Sequence, residues 1–356
     1  NACDPCACTC TQPDRVWVDL EFLYWATQGV VPPPVVTTGP STAAPGVAGV
    51  IGQPTTRPLF GGDRTLNQFR PGFRAEAGYW FDPSAVWGVS GRLYFLGAVS
   101  ERFLGAGNGT NVVNVPQFVT VGGVPTQIPL YVGFPGQTIG TVSASTHSNF
   151  IGGDLNLRRG LGADRPVRFD LLGGYRFLHL GDNELTSFDV VSATVPAALS
   201  PRLVGEDSIR TRNQFHGGQL GFAAYGRHGP FSLELQTTVA LGVSVTELDD
   251  NRFRVFGGGA AGLPAGLVGF GPAAVVGGGA VPFAVNQGGQ VNFFAVVPEV
   301  GVKLGWHPWE HVSVTCGYDF LYWSRVRRAQ DLAGSPPGGS TDFWVQGINV
   351  GLDFRY

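Results

Sequence analysis

Residues 231–246, FSLELQTTVALGVSVT, split into two chemically opposite sets at alternate positions. Phe231, Leu233, Leu235, Val239, Leu241, Val243 and Val245 fall on one side, with Thr237 among them. Ser232, Glu234, Gln236, Thr238, Ser244 and Thr246 fall on the other, with Ala240 and Gly242. Successive side chains of an extended chain point to opposite sides, so the segment reads as a strand with one apolar and one wet face. It far exceeds the ~5–6 residues of a typical soluble strand. It suffices for the ~9–11 residues of a tilted strand crossing a bilayer.

Composition narrows the setting. Of 356 residues 54 are Gly, and only 14% are charged, against roughly 25% in soluble domains. No apolar stretch reaches the ~20 residues a transmembrane helix needs, which leaves a closed barrel as the way to satisfy backbone polar groups in lipid. With 23 basic and 26 acidic residues, the balance argues against a nucleic-acid partner. The chain begins at Asn1 and contains no Met, so the expectation is a mature exported chain from which a signal peptide has been removed.

The same alternation recurs along the chain. Strands are expected at about Val16–Thr27, Phe69–Phe81, Val86–Leu96, Ser145–Leu157, Val167–Leu180, Arg210–Tyr225, Phe231–Thr246, Val291–Trp306, Val312–Val326 and Phe343–Tyr356. The sixth is the least regular, because FHGGQLGF (215–222) is broken by Gly and suggests a bulge or bend. Short turns alternate with long segments at 29–68, 98–143, 182–209, 248–289 and 328–342. This is the asymmetry of an antiparallel up-and-down barrel in an outer membrane, with short periplasmic turns and long outside loops. Residues 16–356 are therefore expected to form the barrel and residues 1–15 a Cys-rich periplasmic tail. Trp25, Trp80, Trp87, Trp306, Trp309 and Trp323 lie near strand ends, as interfacial girdle residues would. The loops are extensive and apolar enough to pack on each other, into the lumen or against other copies, and Val112–Val132 would extend the barrel upward. A large soluble β-sandwich or solenoid is the alternative, disfavoured by the strand length and the greasy face.

The ending Gly347–Tyr356 resembles the terminal signal of outer-membrane proteins, with Tyr356, Phe354 and Leu352 on one face. Trp17–Trp25, Leu171–Leu180, Arg212–Gly221 and Gly317–Arg327 resemble the β-barrel porin family numbered seven. The resemblance runs from first to last strand but not through the long loops. It implies a bacterial outer-membrane barrel, in contact with membrane lipid and read by the barrel-insertion machinery.

The wet faces collect the acids Asp19, Glu21, Glu76, Asp154, Asp170, Glu234, Glu299, Asp319 and Asp353. They also collect the bases Arg70, Arg74, Arg92, Arg168, Arg176, Lys303, Arg325 and Arg355. A charge-selective pore would show a surplus of one sign or segregated rings. Near balance in a narrow lumen suggests ion pairs between strands, because an unpaired buried ion is costly. Ten strands also lie close to the eight-stranded barrels that side chains fill. The expected function is therefore structural and envelope-stabilising, with porin-like passive diffusion as an option and no enzyme activity. The enzymatic alternative is a rim protease using His179, Asp182, Asp249 and Asp250, and the His147–Ser148 pair is a weaker hydrolase motif.

Cys3, Cys6, Cys8 and Cys10 crowd the amino terminus, which favours disulfides within or between copies, with zinc as the second option. Homo-oligomers or a lattice, held through loops or these cysteines, are expected. Cys316 falls on the lipid-facing register. No cofactor is expected.

Overall fold

In a computed structural model of the chain, residues 15–121, 124–161, 167–194, 201–257, 281–332 and 340–356 are described, without side chains at 119–121, 124–125 and 281–285. The strands are β1 (Val16–Thr27), β2 (Val36–Thr38), β3 (Arg57–Phe60), β4 (Phe69–Trp80), β5 (Trp87–Gly107), β6 (Val113–Val121) and β7 (Val124–Gly133). They continue as β8 (Thr138–Gly160), β9 (Val167–Ser192), β10 (Arg202–His228), β11 (Phe231–Gly257), β12 (Val281–Trp306), β13 (Val312–Val326) and β14 (Thr341–Arg355), with one short helix, α1 (Ala329–Leu332).

Ten strands close a barrel in the order β1-β14-β13-β12-β11-β10-β9-β8-β5-β4. All its pairings are antiparallel, and closure is made by β1, which pairs with β14 through Trp17↔Arg355 and with β4 through Trp17↔Gly78. Dyad alternation explains which face each residue takes. Leu93, Leu155, Leu220 and Leu304 point outward and are 57%, 59%, 74% and 60% exposed, whereas the intervening charges are buried in the bore. Closure leaves no free edge along the shared lower half of the strands, where ten polar edges would otherwise meet the surroundings.

The lower strand ends lie close to where alternation puts them; the upper ends do not. β9 runs on to Ser192 and β10 begins at Arg202, so most of the expected 182–209 loop is paired strand, as in Arg202↔Val191 and Ser208↔Leu185. β11 continues to Gly257 and β12 starts at Val281, which replaces much of the 248–289 loop. Within 98–143, β5 and β8 pair up to Gly107↔Gly140. Above the outward apolar band both faces become polar or Gly-rich, as in Glu247–Arg252, and the period-two signal vanishes while the ladder continues. β10 also lacks the expected bulge at 215–222, since its register with β9 and β11 is unbroken there. Gly217 instead makes room for a ring: a Cβ there would stand 2.5 Å from Phe215 Cζ.

Val112–Val132 does not extend the barrel. β6 and β7 join β2 and β3 in a separate four-stranded sheet, ordered β3-β2-β6-β7. Its Val36, Val113, Val115 and Leu130 pack against Val142 of β8, Phe188 of β9 and Leu203 of β10. The long segments thus fold over the inner face of the tall wall. A further correction concerns the tryptophans. Trp87, Trp306 and Trp309 are exposed, but Trp25, Trp80 and Trp323 are buried inside, because their odd or even positions place them on the lumen side of β1, β4 and β13.

Candidate functional site in the closed bore

Four layers fill the bore from the turn end upward. The lowest is a vestibule of about 520 Å³, whose walls include Trp17, Glu76, Arg158, Glu234, Lys303 and Arg355. Three of its cations lie on aromatic rings: Arg168 is 3.9 Å from the Trp80 centroid, Arg355 is 4.8 Å from Tyr225 and Arg158 is 5.2 Å from Trp17. Arg168 and Arg355 also meet Asp170 and Asp353, each at 2.8 Å. Glu76, Glu234 and Lys303 line both this vestibule and a deeper space of about 30 Å³, room for a water molecule or two.

Above the vestibule is an ion-pair layer. Arg92 of β5 donates through both Nη atoms to Glu299 of β12, each bond 2.8 Å, and through Nε and Nη2 to Asp154 at 3.0 and 2.7 Å. β5 and β12 are fifth neighbours in the ring of ten, so this pair crosses the full width of the bore. Arg176 lies between the same two acids, 2.5 Å from Glu299 and 3.3 Å from Asp154. Arg74 bridges Glu21 and, at 2.9 Å, Asp319. Lys303 reaches Asp19 and, at 3.0 Å, Glu21, which also accepts a 2.7 Å bond from Asn349. Several acids share each base, which is how a buried charge avoids being left alone.

Next comes an apolar layer in which aromatic rings touch in sequence. Trp25 to Tyr94, Tyr94 to Phe150, Phe150 to Phe343, Phe343 to Trp323 and Trp323 to Phe215 are spaced at 6.1, 6.1, 5.4, 6.5 and 6.2 Å between centroids. These lie within the ~4.5–7 Å range of favourable aromatic pairs. Leu23, Leu178, Leu180 and Leu321 fill the gaps. The train runs from β1 across to β10, and Gly152 makes room for it: a Cβ there would sit 2.5 Å from the Tyr94 ring.

The uppermost layer comes from the connection between β13 and β14. A bulge between Trp323 and Val326, with Arg325 at φ 60°, turns the chain inward. Asn213 clamps the backbone of Arg327, donating to its carbonyl at 2.7 Å and accepting from its N–H at 2.9 Å. Arg328 pairs with buried Asp182 of β9, and Gln330 donates to Thr146 of β8 at 2.7 Å. Ala329 and Leu332 pack on Ile209. A segment rooted in β13 and β14 is thus seated on β8, β9 and β10 across the bore.

The structure places Asp19, Glu21, Arg70, Arg74, Glu76, Arg92, Asp154, Asp170, Arg176, Glu234, Glu299, Lys303, Asp319, Asp353 and Arg355 on the lumen side. Arg325 is not among them; the bulge shifts the alternation and leaves it exposed. Arg158, outside the expected set, joins them, as the outward Leu155 and Leu157 imply for position 158; it meets Glu76 at 3.6 Å and Asp170 at 3.7 Å. Arg328 carried no signal, since a loop has no period. The rim-protease residues are not brought together. His179 takes the outward face of β9 beside Ile151 and Gln214, while Asp182 is inside with Arg328. Asp249 and Asp250 take opposite faces of β11, Asp250 paired with Arg252 at 3.0 Å. His147 bonds Ser100 at 2.8 Å on the outer side, and Ser148 is buried inside. Leu352, Phe354 and Tyr356 alternate along the outer side of β14 and its end, and Cys316 is exposed with a free thiol. Cys3, Cys6, Cys8 and Cys10 lie outside the described residues.

A family model described as Putative beta barrel porin-7 matches residues 17–356. No protein of curated function matches the chain. Among solved structures, the chain is similar to outer membrane protease OmpT from Escherichia coli, at 10% identity over 97% of each chain with a TM-score of 0.48. It is similar to the anion-selective porin from Comamonas acidovorans at 8% identity, covering 96% of this chain and 98% of that one, TM-score 0.23. The toluene transporter TodX of P. putida matches at 8% identity, 97% and 91% coverage, TM-score 0.20.

Proposed function

Since the chain belongs to the beta barrel porin-7 family, whose fold is an outer-membrane β-barrel, we propose that this member is an occluded barrel that stabilises a bacterial envelope rather than a standing pore. The observation that carries the reading is Arg92, which bonds Glu299 from the opposite wall directly beneath a continuous layer of contacting rings. Solute crossing the bore would have to strip a charge from its partners and then enter a closely packed layer of aromatic rings and leucines. Diffusion is therefore confined to the vestibule, open from the turn end only.

The outward leucines, valines and aromatics supply the lipid-facing band, because a soluble monomer rarely exposes so large an apolar surface. Outer-membrane localisation, insertion through the β14 end and self-association through the upper loops or the amino-terminal cysteines belong to the same proposal. A rim protease gains no support from an outward His179 and an inward, ion-paired Asp182. Liposome swelling tests the reading: vesicles carrying the refolded barrel should admit a small sugar no faster than empty vesicles. Rapid, size-dependent swelling would replace occlusion with passive diffusion.

A further inference from the structure

We propose that Glu184 is a protonation switch for the seated β13–β14 segment, which stays docked while this carboxyl holds its proton and is released when the proton leaves. The inference deepens the occluded-barrel reading and rests on it.

Glu184 is the next inward residue of β9 after Asp182 and is 3% exposed. It lies beyond the outward apolar band of β9, which ends at Phe177. Neither carboxyl oxygen has a well-formed hydrogen bond or an ion pair among the described residues. The contrast with Asp182 is sharp, since that neighbour takes the one guanidinium the seated segment brings to this wall. Charged groups approach Glu184 from several elements. Asp182 shares its strand and Glu101 comes from β5, while Arg328 and Asp331 of the seated segment and Arg70 of β4 gather around Asp182 instead. The acids nearest to it cannot stabilise an anion, and Arg328 is already engaged.

The coupling to the segment is direct. Thr146 faces the Glu184 carboxyl, and the same hydroxyl accepts the 2.7 Å bond from Gln330. A protonated carboxyl fits this arrangement. Burial pushes Glu184 up to about 8, against the opposing influence of the Thr146 hydroxyl across the strand pair, with Asp182 and Glu101 adding to the rise. A group whose folded value is raised contributes stability that is complete below its unfolded value, near 4.3, and disappears as pH rises through the raised one. Ionisation would leave a carboxylate without a cation of its own beside Asp182, in a place that the docked Arg328 and Gln330 close, and water could solvate it only once that segment lifts.

The test uses the full chain refolded in detergent and treated with trypsin at pH 6.5 and pH 9.5, reading cleavage after Arg328 by mass spectrometry. Wild type and Glu184→Gln should be cut slowly and equally at pH 6.5, and wild type about tenfold faster than the variant at pH 9.5. Glu184→Leu serves the same comparison if the amide variant fails to refold, and Arg328→Gln should be released at both pH values, read by cleavage after Arg327. Slow, equal cleavage of wild type and variant at both pH values overturns the switch and leaves the occluded barrel standing. Rapid cleavage of both at pH 6.5 overturns the switch and the seated segment together.

Discussion

Asp182 and Arg328 stand 146 positions apart in sequence and meet inside the bore, the carboxylate on β9 and the guanidinium on a segment anchored at the opposite wall. The pair is almost wholly buried, so its formation alone contributes little, but breaking it strands a charge. Arg328→Ala should cost ~3–5 kcal/mol, seen as a lower temperature for loss of heat-modifiable mobility on gels. Replacing both residues with Leu should recover much of that loss. An unchanged single variant would mean that the pair is solvated.

The ion-pair layer makes a related demand. Arg176 is held between Asp154 and Glu299, and Arg176→Met should destabilise the barrel by ~3–5 kcal/mol despite the apolar replacement. Chemical denaturation of the refolded barrel measures it, and a neutral result would show that Arg92 serves both acids unaided.

The ring train predicts a packing effect. Trp323 touches both Phe215 and Phe343 and is fully buried, so Trp323→Ala should cost ~3–5 kcal/mol. Trp309→Ala, at an exposed turn, should be within ~0.5 kcal/mol of wild type. Thermal melts of the two variants side by side check the contrast.

The outer band behaves oppositely to the bore. Leu93, 57% exposed on β5, touches nothing polar in the barrel's own interior, yet Leu93→Arg should cost ~2–4 kcal/mol in a bilayer. Reversible folding into vesicles measures this, and indifference to the charge would remove the lipid-facing assignment.

One turn carries a pH signature. The Asp82 carboxylate accepts from the N–H groups of Trp87 at 3.1 Å and Val86 at 3.2 Å, and these bonds hold it below the usual carboxylate range. Its contribution is present above about pH 3.9 and fades as pH falls through its lower folded value. Asp82→Ala should therefore lower the melting temperature at pH 7 and converge with wild type as pH falls through that lowered value.

The fold was legible because period-two alternation survives wherever one face meets the bore's charges and the other an apolar band, as in Glu234 against Leu233 and Leu235. It failed above the band, where Glu247 to Arg252 alternate nothing and pairing alone keeps β11 extended. The ion-pair layer was readable position by position, since Lys303, Glu299 and Arg176 are each flanked by apolar neighbours. Its ring layer was not: Trp25 and Trp323 sit where both faces of the strand are apolar, so composition suggested a membrane girdle while strand parity placed them inside. Arg328 lay beyond reach because its partner is fixed by a loop folding across the barrel, and no local spacing encodes that distance.

Conductance of the purified barrel in a planar bilayer tests occlusion most directly. At moderate voltage and near-neutral pH, protein shown to be folded by heat-modifiable mobility should give no steady current steps. Reproducible ohmic steps from that same folded material would contradict the account, because ions would then be crossing the layer where Arg92 and Glu299 join opposite walls.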